Sequence, residues 1–114
     1  MKAIKINPTG AIENIELAAD DELRLHQLQN AVDGWIQTIP LTGFSIVIDQ
    51  DAEPLCHPLR NRIAEQIAAD YLADTTIAIH GCAVLIAADG TSDLPLYVAE
   101  YLGLFNRPDA LAAA

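Results

Sequence analysis

Cys56, His57, His80 and Cys82 are the residues whose types most readily carry chemistry. Two thiols and two imidazoles are the ligand types of a structural zinc site, and strand alternation would place His80 and Cys82 on one face. Adjacent Cys56-His57 lacks the ligand spacing such sites use, and Gly81 argues for a bend between the other two. The simpler reading is two small buried thiols and two unrelated imidazoles, so these four remain weak metal candidates and no cofactor is expected. A Cys–His nucleophilic dyad would draw on the same residues, with the imidazole lowering the thiol pKa, but no third orienting group is evident.

Asp49, Asp51 and Glu53 alternate like oxygen ligands for a hard cation. Pro54 then stands where a calcium loop needs glycine, and no acid closes the loop, so a solvated turn is expected instead. Arg60, Asn61 and Arg62 carry two of the six basic residues. Placed in the first turn of a helix, they would join free backbone N–H groups in a small phosphate or carboxylate site. The competing reading, which we favour, ties these side chains to nearby acids such as Asp49, Asp51 or Glu53. Trp35 is either a contact anchor beside an edge strand or the largest plug of an aromatic-poor core, and the core is the preferred reading. No glycine-rich phosphate loop, paired-acid motif or Ser-His-Asp signature is recognisable, which leans away from an enzyme.

The elements that must position these residues follow from periodicity. Residues 2–7 alternate Ala3 and Lys5 against Ile4 and Ile6, a half-buried strand. Asn7-Pro8-Thr9-Gly10 turns the chain into a second strand over 11–17, with Ile15 and Leu17 on one face. Asp20, Asp21 and Glu22 open a helix whose buried stripe is Leu25, Leu28 and Val32, and Gly34 supplies a left-handed end. Residues 35–41 and 44–49 read as strands around Thr42-Gly43, the first at an edge or ending at Pro40, which lacks a donor. Pro58 suits the first turn of a second helix in which Leu59, Ile63, Ile67 and Tyr71 repeat. The run 76–87 is rich in Ile, Val and Thr and divides into two strands if it splits near Gly81. Ser92 or Asp93 caps a last helix with Leu94, Tyr97, Val98, Tyr101, Leu102 and Phe105 on one face. The expected fold is α+β: a mostly antiparallel sheet of about five or six strands packed with about three helices, in the order ββαββαββα.

A chain of 114 residues fits one compact domain, expected over 1–106, with an Ala-rich tail at 107–114. Sixteen acidic residues against six basic ones give a formal charge of −10. Direct binding to nucleic acid or to an anionic bilayer is disfavoured, because both depend on basic patches. No stretch approaches the length of a membrane span and the first residues show no signal-peptide pattern, so the expected location is the cytoplasm.

Several short strings resemble one family. They are MKAI at the start, Leu28-Gln29, residues 32–37 (VDGWIQ), Ile39-Pro40-Leu41, Val47-Ile48-Asp49, residues 55–64 with Pro58, Asn61, Arg62 and Ala64, and residues 79–85 (IHGCAVL). Together they are similar to the family of domain of unknown function 3846, short uncharacterised phage, plasmid and bacterial proteins, over about residues 1–105. The resemblance implies an accessory-gene setting and brings no catalytic or binding residues with it. With the acidic surface it suggests a non-enzymatic protein-binding module for a host or phage protein, with a DNA-mimic inhibitor as its specific version. Two alternatives stand beside it. One is a small ligand- or metal-binding domain or enzyme using the Cys/His set or the Arg60–Arg62 segment. The other is a homo-oligomer pairing through the Tyr97/Tyr101 helix face or an open sheet edge.

Overall fold

A computed structural model describes residues 1–50, 58–72 and 77–103. Cys56, His57, Asp51 and Glu53, together with the expected end of the last helix and the tail at 107–114, lie outside the described residues. The elements run β1 (Lys2–Ile6), β2 (Ile12–Glu16), α1 (Asp21–Val32), β3 (Ile36–Pro40), β4 (Phe44–Asp49), α2 (Arg62–Leu72), β5 (Ala83–Ala87) and α3 (Leu96–Gly103). The strands form one antiparallel sheet in the order β2-β1-β5-β4-β3. The fold is therefore α+β, with β2 and β3 at the two edges.

Alternation along the central strands builds two cores, one on each face of the sheet. Ile4, Ile6, Phe44, Ile46 and Leu85 point to the side covered by Ile67 of α2 and by Val98 and Leu102 of α3. Ala3, Val47, Val84 and Ile86 point to the other side, where Leu28 and Val32 of α1 cover them. Every residue of β4 and β5 is buried, as expected for strands covered on both faces. The first core holds three aromatic residues in contact: Phe44 meets Tyr71 edge-on at 4.9 Å between ring centroids, and Tyr71 meets Tyr101 at 5.8 Å.

Several expectations are corrected in detail. The run 76–87 yields one strand, Ala83–Ala87, among the described residues, so the element order is ββαββαβα. Ahead of it, Gly81 takes φ +82° and His80 forms an isolated antiparallel bridge with Arg60. That bridge, with the Asn61 amide on the Ile79 carbonyl and the Gly81 amide on the Leu59 carbonyl, ties residues 59–61 to the segment ahead of β5, so α2 starts at Arg62 and leaves Pro58 and Leu59 outside it. In α1, Asp20 caps the start by accepting from the Leu23 N–H at 2.9 Å. The left-handed residue at its other end is Asp33, with φ +59°, rather than Gly34. Leu25 is exposed and the buried residues of α1 are Leu28 and Val32. Ser92 and Asp93 do not cap α3. The Asp89 carboxylate accepts from the Ser92 hydroxyl and amide and from the Thr91 amide, while Asp93 accepts from the Lys2 amide and pins the loop to β1.

Gly34 has a different role from the one its sequence position suggests. A β-carbon there would overlap the carboxylate of Asp49, a buried acid at the end of β4. The end of α1 can pass so close to the sheet only because residue 34 has no side chain.

Candidate functional site

Arg60, Asn61 and Arg62 are brought together at the start of α2, where Asn61 turns inward and the two arginines stay exposed. Asn61 is fully buried. Its side-chain amide donates to the carbonyls of Ile6 at 2.8 Å and Gly81 at 3.0 Å, and its Oδ1 accepts from the Ala64 N–H at 3.1 Å. Its backbone N–H donates to Ile79 and its carbonyl accepts from Glu65. One residue thus caps α2 and ties it to β1 and to the segment ahead of β5.

Arg60 engages Glu65 through two hydrogen bonds, Nε to Oε2 at 2.9 Å and Nη2 to Oε1 at 2.8 Å. Arg62 adds a longer ion pair to the same carboxylate at 3.8 Å. Glu65 Oε2 also accepts from the Ile79 amide at 2.9 Å. Burial works to raise the Glu65 carboxyl; the Arg60 hydrogen bonds, the Ile79 amide and the two guanidinium charges outweigh it and hold the carboxyl below its ordinary value. Sequence reasoning missed Glu65 as the partner because it looked to acids preceding the helix rather than one turn inside it.

Cys82 is a half-buried free thiol and donates to Asn7 Oδ1 at 3.1 Å. Gly81, with its positive φ, interrupts the extended run between His80 and Cys82, so strand alternation does not relate their side chains. Among the described residues, no group of three or more His, Cys, Asp or Glu side chains could hold a metal ion.

Trp35 leaves the core, contrary to the preferred expectation, and is 68% exposed. Its carbonyl accepts from the Gln50 amide at 2.6 Å, which closes the end of the β3–β4 hairpin and fixes its backbone. The indole borders a polar hollow of about 300 Å³ that includes Gln29, Asn30 and Asp33.

A larger cavity lies at the other edge of the sheet, away from the residues singled out from the sequence. It is a groove of about 470 Å³ between β1, β2 and the start of α3, bounded by Ile4, Asn14, Glu16, Leu94, Leu96 and Ala99. Leu96, on its helical wall, is 81% exposed, more than any other large apolar side chain described. Three separate stretches of chain build this groove. A sequence signal was nevertheless present: Leu96 falls outside the buried stripe formed by Val98 and Leu102.

The family model for a domain of unknown function (DUF3846) matches residues 1–106. The chain belongs to that family. Neither the curated proteins nor the solved structures give a match. The DUF3846 family assigns no chemistry, so functional inference rests on surface and site geometry. The exposed carboxylates of this DUF3846 chain occupy elements on both faces of the sheet: Asp21 and Glu22 on α1, Asp70 on α2 and Glu100 on α3. Among the described residues no helix is long and apolar enough to cross a membrane.

Proposed function

We propose that this DUF3846 chain is a protein-binding module, a non-enzymatic accessory protein that acts in the cytoplasm on a host or phage protein. The observation that carries the reading is the apolar groove between β1, β2 and α3, with Leu96 at 81% exposure on its wall. An apolar concavity beside an open sheet edge offers a seat for an apolar side chain of a partner. The phage or mobile-element setting rests on the family alone. Inhibition by DNA mimicry would need carboxylates massed on one side. The described acids are divided between the two faces, so the reading does not rest on mimicry.

The test is capture from a lysate of the encoding organism on the tagged chain, at low and moderate salt, with bound proteins identified by mass spectrometry. Wild type should retain a protein that Leu96→Asp releases and Trp35→Ala keeps. Release by Trp35→Ala alone would move the contact to the β3 edge. An empty wild-type column would remove the reading.

A further inference from the structure

We infer that the groove takes an extended segment of the partner protein, added as a sixth strand to β2 and carrying an apolar side chain flanked by Lys or Arg. This rests on the protein-binding reading above and specifies how the partner is held.

The backbone pattern comes first. The Asn7 amide donates to the Ala11 carbonyl at 2.8 Å and the Leu17 amide to the Met1 carbonyl at 2.8 Å. In an antiparallel ladder, residues alternate between facing and turning away from the partner strand. Odd-numbered residues of β2 therefore face β1, and Ile12, Asn14 and Glu16 turn their N–H and C=O groups outward at the sheet edge. No partner strand covers them among the described residues. Such a row is a template for strand addition.

The opposite edge is less suited. There the Leu41 amide donates to Phe44 and the Gln50 amide to Trp35, so Ile36, Thr38 and Pro40 turn outward. Pro40 has no N–H, and one donor is missing from that edge.

Side chains and charge then select the occupant. The β1–β2 register pairs Asn14 with Ile4 and Glu16 with Lys2. These side chains share the sheet face that α3 partly covers, and the groove opens there. A strand added about 4.8 Å beyond β2 directs every second side chain to that same face. One apolar side chain of the segment would fill the space beside Leu94, Leu96 and Ala99. Around it stand Glu16, Asp93 beside the Lys2 amide, and Glu100 one helical turn beyond Leu96, against Lys2 and the N-terminal ammonium of Met1, which lies 3.3 Å from the Glu16 carboxylate. This rim and the chain's charge of −10 favour a basic segment over a second acidic copy of the same edge.

The experiment selects a displayed random-peptide library on the immobilised full chain, then measures the affinity of the enriched peptides for variants. Peptides with one apolar residue between Lys or Arg should be enriched and should bind more weakly as salt rises. Asn14→Pro deletes one outward donor and leaves the β1–β2 bonds intact, and should weaken binding about tenfold. Asn14→Ala keeps that donor and should stay within about threefold of wild type. Should the proline variant unfold, Leu96→Asp alters only an exposed side chain and should also lose binding. Enriched peptides that bind Asn14→Pro and Leu96→Asp as tightly as wild type would overturn the inference. So would a wild-type chain that sediments as a dimer and an Asn14→Pro chain that does not. A library that enriches nothing, beside a lysate partner released by Leu96→Asp, would overturn strand addition and leave protein binding standing.

Discussion

The Asn61 side-chain amide meets the Ile6 carbonyl at 2.8 Å, joining residues 55 positions apart in a fully buried place. The same NH₂ reaches Gly81 and the same side chain caps α2 through Ala64. Removing it takes one donor from each of two buried carbonyls and the acceptor from one buried amide. Asn61→Ala should cost on the order of 3 kcal/mol, read as a lower urea midpoint by circular dichroism. Asn61→Asp keeps the cap but points a carboxylate at two carbonyls, and should be no less damaging at neutral pH.

Gly34 and Asp49 should behave as a coupled pair. A β-carbon at 34 overlaps the buried Asp49 carboxylate, so Gly34→Ala should destabilise by about 1–3 kcal/mol. In an Asp49→Ala background the obstruction is gone, and the same substitution should cost much less. A double-mutant cycle of unfolding free energies measures the difference. Equal costs in the two backgrounds would show that the helix end moves away from the sheet.

Both relationships mark the limit of what the sequence exposes. Period-two alternation placed β1, and strand-like runs around Thr42-Gly43 placed β3 and β4, close to their observed bounds, and the acids at 20–22 marked the start of α1 correctly, because these signals are local. Pro40 likewise pointed to an edge. α2 starts later than Pro58 suggests, because that proline is a local helix-start signal and the Arg60–His80 bridge that overrides it joins distant segments. Leu25 fits the helical stripe by spacing, yet the sheet under α1 reaches only Leu28 and Val32. The groove left only Leu96 as a local sign for the same reason, since its walls meet only when β1, β2 and α3 are assembled.

Gly43 offers a test that separates strain from overlap. It sits in the β3–β4 turn with φ +85°, and a β-carbon there would collide with the Tyr97 hydroxyl, which donates to the Thr42 carbonyl at 3.0 Å. Gly43→Ala should cost about 1–2 kcal/mol from the backbone conformation alone, plus the displacement of the tyrosine. Tyr97→Phe should recover the overlap part of that loss and leave the backbone part. Full recovery in thermal melts would mean that the turn relaxes to another geometry.

The Glu65 cluster should give the fold a defined acid sensitivity. Because the folded-state carboxyl is held below its ordinary value of 4.5, the unfolded chain takes up its proton first as pH falls. The stabilisation is complete above about 4.5 and is lost as pH drops through the lower folded value. Asp89, drawn down to about 2 chiefly by the Ser92 hydroxyl and the amides of Thr91 and Ser92, titrates in the same acid range, so the total slope does not isolate Glu65. Glu65→Gln does isolate it. The variant should be less stable than wild type by about 2 kcal/mol at pH 7, where Arg60 and the Ile79 amide lose a charged acceptor. The gap should narrow as pH falls below about 4.5 and the wild-type carboxylate becomes neutral. Urea unfolding of both proteins across that range decides the matter. A constant gap would place the value of Glu65 in packing and neutral hydrogen bonding, and the guanidinium of Arg60 would then contribute little through its charge.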